Sequence, residues 1–323
     1  MAGTGARSSG VGRGGVERIG IGLAAVARPA YITAGRADDL GTARDVDALR
    51  ARTHAVLDAA YAAGIRYVDV ARSYGRAEEF LAAWLAGHPG NDVVVGSKWG
   101  YRYVGGWRLD AEVHEVKDHS LAAFTEQWAQ TRAVLGVPAV YHVHSATLET
   151  GVLDDAPLHR ALAGLRADGV RVGISTSGPA QADAVRRALE VEVDGEPLFT
   201  SFQCTWNLLE TSVGPALAEA HAAGAHVIVK EPVANGRLAP TADADPRAAR
   251  VARERGVPLD RLAVAAALAQ PWADRVLSGA VDRAQVASNA AATEVATDAL
   301  EDLDALAEEP RAYWAARSAR SWA

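Results

Sequence analysis

The sequence predicts an α/β protein built as a single (β/α)8 TIM barrel with eight parallel strands. Short apolar runs alternate with longer, alanine-rich helical patterns, and this strand-then-helix unit occurs eight times along the 323 residues. An open doubly wound sheet would show a Gly-x-Gly-x-x-Gly turn that leads into a helix. Here "GIGLAA" contains only Gly20 and Gly22, and the residues after it have the pattern of a long loop. The closed barrel is therefore the favoured architecture.

The barrel assigns each apolar run to one strand. In chain order the predicted strands are 18–27 ("RIGIGLAAVA"), 65–71 ("IRYVDVA"), 92–98 ("DVVVGSK"), 139–146 ("AVYHVHSA"), 170–176 ("VRVGIST"), 198–203 ("LFTSFQ"), 225–230 ("AHVIVK") and 275–280 ("RVLSGA"). Helical sequence follows each of them, and glycines such as Gly64 and Gly169 stand where a helix ends before the next strand. The Gly/Ser/Arg-rich residues 1–15 are predicted to be a flexible leader, and 16–323 to form the barrel domain.

The composition argues against several classes of partner. The chain has a net charge of −7, whereas nucleic acids and anionic membranes select for basic surfaces. No stretch approaches the roughly 20 apolar residues that span a bilayer. The single cysteine, Cys204, cannot form an internal disulfide, which fits a reducing compartment. We therefore expect a cytoplasmic protein, either a monomer or a homo-oligomer, whose partners include neither nucleic acid nor a membrane.

Four side chains with complementary proton chemistry are predicted to meet at the barrel mouth, where strands end and loops begin. Asp69, Lys98 and His144 lie at or near the ends of predicted strands 2, 3 and 4, and Tyr74 follows in "DVARSYG". Tyrosine is a poor acid near pH 7 because its reference pKa is about 10. A neighbouring ammonium, held by a carboxylate, is expected to lower the pKa of the Tyr74 phenol. The pattern predicts a general acid for a carbonyl oxygen that a histidine positions.

A second histidine, His142, precedes His144 by two residues and is predicted to face the same side of the strand, one layer deeper in the barrel. We interpret it as a hydrogen-bonded support of the site. Two inward histidines near Asp69 also permit a metallohydrolase, in which a divalent metal activates water. The later strands offer Ser175 and Gln203, which are poor metal ligands, so no metal site is predicted.

These residues resemble the aldo-keto reductase family, whose members are NAD(P)H-dependent (β/α)8 barrels that interconvert carbonyls and alcohols. The resemblance covers the chain from about Gly15 to Asn289. "GIRYVDVARSYGRAEEFLAAWL" resembles the segment with the catalytic aspartate and tyrosine, "VVVGSK" the strand with the catalytic lysine, and "AVYHVHSAT" the strand with the catalytic histidine. The resemblance implies catalytic roles for Asp69, Tyr74, Lys98 and His144.

At the nicotinamide end the resemblance is less regular. Ser175 and Gln203 match the family's contacts with the nicotinamide carboxamide, but Thr176 stands where the family has an asparagine. In "VIVKEPVANGRL", Lys230 replaces the aromatic residue that stacks on the nicotinamide, and Glu231 replaces a serine. This departure leaves open what covers the ring.

At the adenosine end, "SGAVDRAQVASN" resembles the phosphate-and-adenine segment. Gln285 stands at the position that is basic in many members, and Arg283 is the candidate substitute, so NADP(H) is favoured over NAD(H). The cofactor-binding residues implied by the resemblance are Gly22, Ser175, Thr176, Gln203, Lys230, Pro232, Val233, Gly236, Leu238, Gly279, Ala280, Arg283, Gln285 and Asn289.

Aromatic side chains in the long loop after strand 3 are predicted to wall the substrate pocket. The predicted pocket residues are Trp99, Tyr101, Tyr103, Trp107 and Glu231. The C-terminal "RAYWAARSARSW" either folds over the barrel mouth, with Trp314 and Trp322 as lids, or forms a frayed helix.

The sequence thus predicts an NAD(P)(H)-dependent oxidoreductase that interconverts an aldehyde, ketone or aldose-like carbonyl and its alcohol, with Tyr74 as general acid or base. Because strand 7 departs from the family pattern, a nucleotide-binding redox sensor or regulatory subunit with the same fold and little turnover is the alternative.

Overall fold

The chain folds into a closed (β/α)8 barrel, as the sequence predicts. The computed structural model describes residues 15–33 and 35–322, and within them eight parallel strands form the barrel. The strands are β1 (Ile19–Gly22), β2 (Tyr67–Asp69), β3 (Val94–Trp99), β4 (Val140–Ala146), β5 (Arg171–Thr176), β6 (Ser201–Thr205), β7 (His226–Lys230) and β8 (Arg275–Ser278). Each pairs with its neighbours in sequence, and β8 pairs with β1 to close the barrel. Except for Gly15, the predicted leader lies outside the described residues.

Helices surround the barrel and connect its strands. They are α1 (Arg36–Leu40), α2 (Val46–Ala62), α3 (Ala77–Gly87), α4 (Leu121–Leu135), α5 (Ala156–Ala163), α6 (Gln181–Leu189), α7 (Gly214–Ala222), α8 (Pro246–Glu254), α9 (Leu259–Leu268), α10 (Arg283–Ala290) and α11 (Pro310–Ser318). Several begin at a side chain that accepts from the first turn, as Asp45 and Ser120 do for α2 and α4. Such a cap stabilises a helix by about 1 kcal/mol. Within the described residues, no helix is long and apolar enough to cross a membrane.

The first strand differs most from its prediction. The apolar run 18–27 predicts one long strand, but β1 ends at Gly22 and the chain then turns. The amide of Leu23 still donates to the carbonyl oxygen of Asp69 at 3.0 Å, and the amide of Ala27 donates to the carbonyl oxygen of Leu23 at 3.1 Å. Leu23, Val26 and Ala27 are fully buried. The apolar run 18–27 therefore predicted correctly that these residues are buried. It did not show that a strand gives way to a buried turn after Gly22.

Side chains that face the barrel interior fill it below the mouth. Tyr67 precedes Asp69 by two residues and so shares its face of β2. It belongs to a small buried cluster with Val140, Ile228 and Leu277. This layer closes the barrel beneath the polar residues, so access to them is from the mouth.

Candidate active site

The Lys98 ammonium is buried at the barrel mouth beside the Asp69 carboxylate. Its Nζ donates to Asp69 Oδ2 and, at 3.0 Å, to the carbonyl oxygen of Val70. Gln203 of β6 donates from Nε2 to the second carboxylate oxygen, Oδ1, at 2.7 Å. The side chains of Lys98 and Asp69 are 1% and 3% exposed. Each charge depends on the other, because neither has water to replace a lost partner.

The Tyr74 ring lies against this ion pair. Lys98 Nζ is 4.8 Å from the ring centroid, and Arg28 Cζ is 5.0 Å from it. The ring of His144 meets that of Tyr74 edge-on, with 5.5 Å between centroids and an interplanar angle of 81°. The structure thus brings together all four residues that the sequence places at the barrel mouth.

The Tyr74 phenol is a weaker acid than the sequence led us to expect. Burial raises its pKa well above the ordinary value of 10, the Asp69 carboxylate raises it further, and the Arg28 guanidinium opposes them. The expected lowering is therefore wrong, because desolvation of the phenolate outweighs its attraction to nearby cations. Burial also lowers the pKa of Lys98, while Asp69 raises it. The phenol is protonated at neutral pH.

His144 carries a neutral imidazole. Burial lowers its pKa well below 6.5, and the positive charges of Lys98 and Arg28 lower it further. Its Nδ1 lies 3.4 Å from the Ser73 hydroxyl oxygen. The Tyr101 ring lies on another side, 4.9 Å between centroids. The ring is held between polar and aromatic neighbours at the wall of the mouth.

His142 lies one layer deeper and is hydrogen-bonded, as predicted. Its Nε2 is 2.9 Å from Ser201 Oγ, and the side chain is fully buried. Burial, followed by the charge of Lys98, lowers its pKa well below 6.5. Among residues 15–33 and 35–322, no three His, Cys, Asp or Glu side chains are grouped so as to hold a metal ion. The metallohydrolase alternative therefore has no ligand set in this part of the chain.

Strand β7 ends in a charged network. Lys230 Nζ donates to Thr205 Oγ1 at 2.6 Å, and the Thr205 hydroxyl donates to Glu231 Oε2 at 3.1 Å. Arg317 of α11 binds both oxygens of Glu231, with Nε 2.9 Å from Oε2 and Nη2 on Oε1. Glu231 has a left-handed backbone, with φ of 56°, and Asn207 Nδ2 donates to its carbonyl oxygen at 3.1 Å. The C-terminal helix is therefore built into the wall of the site.

The charges of this network set the ionisation of Glu231. Burial alone raises the pKa of the carboxyl group, but the positive charges of Arg317 and Lys230 outweigh it and bring the pKa down to about 2. Burial lowers the pKa of Lys230, and Glu231 opposes this. Lys230 and Glu231, which stand where the family resemblance implies an aromatic residue and a serine, therefore form an ion pair with 3.9 Å between Nζ and Oε1.

A cavity of about 700 Å³ opens beside Tyr74 and His144. Of the predicted substrate residues, Tyr101 and Glu231 line it. Trp99 lies fully buried against Phe124 in the core, with 5.2 Å between ring centroids.

The other aromatic residues of this loop lie apart from the cavity. Trp107 Nε1 donates to the carbonyl oxygen of Arg44 at 2.9 Å, and its amide donates to the Tyr103 hydroxyl at 3.1 Å. These rings stabilise the loop, while Tyr101 faces the cavity.

The C-terminal segment covers part of the mouth. Trp322 stacks on His114, with 4.5 Å between centroids and 12° between planes, and lies 4.9 Å from Arg28 Cζ. It lines the large cavity together with Arg317 and Arg320. Of the two predicted lids, Trp322 holds that position, whereas Trp314 is buried near Lys230.

The sequence matches a known family along most of its length. A model of the Aldo/keto reductase family matches residues 33–308. The chain belongs to the aldo-keto reductase family.

Two solved structures show the same fold. Aldo-keto reductase AKR11C1 from Bacillus halodurans, in its holo form, has a TM-score of 0.67 at 21% identity, covering 90% of this chain and 92% of that chain. The glycerol dehydrogenase AKR11B4 from Gluconobacter oxydans has a TM-score of 0.66 at 22% identity, covering 90% of each chain. No curated protein sequence matches the chain.

Aldo-keto reductases use NAD(P)H, and a cleft beside Tyr74 has the lining expected for it. A narrow space of about 90 Å³ runs past Asp69, Tyr74 and Gln203. It continues into a cavity of about 360 Å³ between the loops after β7 and β8, and Thr33, Val233 and Gly279 line both. The predicted cofactor residues that line one or both are Gly22, Gln203, Lys230, Pro232, Val233, Gly236, Gly279, Ala280, Gln285 and Asn289.

Four predicted cofactor residues of this aldo-keto reductase do not line either space. Ser175 Oγ accepts from the Ser145 amide at 2.9 Å. The Thr176 hydroxyl donates to the side chain of Gln181 at 3.3 Å. Leu238 is fully buried in the core. Arg283 lines a separate groove beside α2.

Asn235 is a residue of the cleft that sequence reasoning missed. Its Oδ1 is buried and, within the described residues, has no hydrogen-bond partner. An unpaired acceptor in a cleft suits a donor such as the amide of a nicotinamide. Its Asn-Gly sequence and left-handed φ of 53° mark a tight turn after β7, but only the fold shows that the turn borders the cleft. The residues present therefore fit the cofactor that the family uses.

Proposed function

We propose that this aldo-keto reductase interconverts a small carbonyl compound and its alcohol, with Tyr74 as general acid in reduction and general base in oxidation. One observation carries the proposal: the buried Lys98–Asp69 pair lies against the Tyr74 ring, and neutral His144 meets its edge, beside a cavity of about 700 Å³. When bound, the reduced nicotinamide supplies the hydride, which these side chains cannot.

Tyr74 and Lys98 carry the proton chemistry of the proposal. Burial keeps the phenol protonated, the form that donates to a carbonyl oxygen. The phenolate left behind is stabilised by the Lys98 ammonium, 4.8 Å from the ring centroid. Asp69 and the carbonyl oxygen of Val70 keep that ammonium charged and in place. In the oxidation direction the phenolate accepts the proton of the alcohol.

His144 orients the oxygen that Tyr74 protonates. When Nδ1 accepts from the Ser73 hydroxyl, Nε2 carries the ring proton and is free to donate to the substrate. The neutral state of the ring follows from its lowered pKa. A neutral donor polarises the carbonyl without delivering a competing proton.

The cofactor proposal assigns the narrow cleft to the nicotinamide end. Gln203, Lys230 and Asn235 supply its polar lining, and Tyr31 supplies an aromatic face there. The sequence-based preference for NADP(H) depended on Arg283, which lies beside α2 instead.

The mouth favours a hydroxylated, aldose-like carbonyl. Glu231 is paired with Arg317 there, and Glu115 with Arg28, so the cavity wall contains both carboxylate acceptors and guanidinium donors. Such an arrangement matches sugar hydroxyls, while the ring of Tyr101 packs on the apolar side of a substrate.

Steady-state oxidation of NADH and NADPH with a panel of aldoses, aliphatic aldehydes and aromatic aldehydes tests the proposal. We expect turnover with at least one class, and the highest kcat/KM with aldoses. Tight binding of the nucleotide with no turnover of any carbonyl would favour the redox sensor instead.

A further inference from the structure

The cavity that continues the cofactor cleft presents carboxylates at its surface. It lies against α1, α9 and α10 and has a volume of about 360 Å³. Asp39 of α1 lines it, and Asp39 Oδ2 accepts from Gln285 Nε2 at 2.8 Å. Asp260 of α9 also lines it, and accepts from Asn289 Nδ2 at 3.0 Å. The amides of Gln285 and Asn289 are thus directed towards acids of the protein.

Arg36 is the one cation among the described residues that line this cavity. Its side chain is 1% exposed. Its guanidinium donates to the backbone carbonyl oxygens of Arg28 and, at 3.1 Å, of Pro29. These bonds hold the loop after β1, so Arg36 serves the loop's structure. Among the residues that line the cavity, the exposed charge is that of Asp39, whose backbone carbonyl oxygen accepts from Arg52 Nη1 at 3.0 Å.

The layout of the site assigns this cavity to the adenosine half of the cofactor. The reacting ring must lie beside Tyr74, in the narrow cleft, and the mouth cavity with His144 is needed for the substrate. The cleft opens into the 360 Å³ cavity past Thr33, Val233 and Gly279. An extended dinucleotide therefore places its second nucleoside there.

We propose that Asp39 selects NAD(H) over NADP(H). The inference rests on the proposed function and reverses the preference expected from the sequence. A carboxylate accepts hydrogen bonds from ribose hydroxyls, as acidic residues do in other dinucleotide sites, whereas a 2′-phosphate is bound by arginine. Placed near Asp39, that phosphate meets a like charge, which weakens binding by about tenfold or more.

Dissociation constants measured by quenching of tryptophan fluorescence test the inference without turnover. The probes are NADH and NADPH, and then ADP and 2′,5′-ADP for the adenosine half alone. Asp39→Asn removes the charge and keeps an acceptor oxygen. Asp38→Asn is the matched control. Asp38 is an exposed acid on the same helix, but it does not line the cavity.

We expect the wild type to bind NADH about tenfold or more tighter than NADPH. We also expect Asp39→Asn to reduce the ratio of the NADPH and NADH dissociation constants several-fold, mainly because NADPH binds more tightly. Asp38→Asn should leave that ratio unchanged. Tighter binding of NADPH by the wild type would overturn the inference, as would equal ratios in the two variants. Failure of both dinucleotides to bind would overturn the proposed function as well.

Discussion

Arg317 of α11 binds both carboxylate oxygens of Glu231, 86 positions earlier in the chain. The contact ties the C-terminal helix to the end of β7, where Lys230 and Glu231 border both the cofactor cleft and the mouth cavity. It accounts for Glu231, one of the two charged residues that depart from the family's pattern, because its carboxylate is the partner of a guanidinium from α11. Lys230 is the second cation beside that carboxylate, with 3.9 Å between its Nζ and Glu231 Oε1.

Removal of Arg317 should destabilise the protein. In Arg317→Ala the buried Glu231 carboxylate still has the Lys230 ammonium beside it, but it loses the Arg317 guanidinium. Breaking a buried ion pair in this way lowers the free energy of unfolding by about 3 kcal/mol. Urea denaturation at pH 7 measures the loss. Arg311→Ala, at an exposed position of the same helix, is the control and should change little. Similar midpoints for the two variants would contradict the assigned role.

The same contact predicts acid sensitivity. The pKa of Glu231 falls from 4.5 to about 2 on folding, so its contribution is fully present above pH 4.5 and is lost as the pH falls towards 2. That shift corresponds to roughly 3 kcal/mol. Between pH 5 and pH 3 the wild type should lose more unfolding free energy than Glu231→Gln. Parallel pH profiles for the two proteins would rule out the charged network.

The barrel and the catalytic constellation were predictable because they depend on local patterns. A few consecutive residues are enough to recognise a buried strand that ends in Lys98. The same is true of the strand that ends in Asp69 and is followed closely by Tyr74. The ion pair with Arg317 was not predictable in this way, because its partners are distant in the chain. Trp99 resembles a pocket residue in sequence, but its side chain points into the core.

The direction of the Tyr74 pKa shift also required the fold. The sequence shows which charges are near the phenol but not how much water surrounds it. Burial proved larger than the effect of the neighbouring cations. The role proposed for Lys98 is therefore to stabilise the phenolate during reaction, since the phenol at rest is protonated.

Asp69→Asn should shift the pH dependence of reduction. Asp69 raises the pKa values of both Lys98 and Tyr74, so its loss lowers both. The charged lysine and the protonated phenol then disappear at lower pH, and the alkaline limb of the kcat profile moves to lower pH. A lower kcat with an unmoved alkaline limb would show that Asp69 acts only through packing.

Trp322→Ala should affect the substrate more than the cofactor. The Trp322 indole stacks on His114 and lines the mouth cavity. Trp322 is not among the residues that line the narrow cofactor cleft. We expect KM for the carbonyl to rise several-fold, and the dissociation constant of the cofactor and the kcat to change little. Trp322→Phe should restore most of the wild-type KM. An unchanged KM for every carbonyl tested would show that Trp322 does not cover the substrate.

Proton transfer by Tyr74 can be tested with Tyr74→Phe, with kcat and the dissociation constant of the cofactor measured on one preparation. Phenylalanine keeps the ring beside Lys98 and His144 and removes only the hydroxyl. We expect kcat to fall about 10²–10⁴-fold and the affinity for the cofactor to stay within about twofold of that of the wild type. A kcat close to that of the wild type would show that Tyr74 does not transfer the proton.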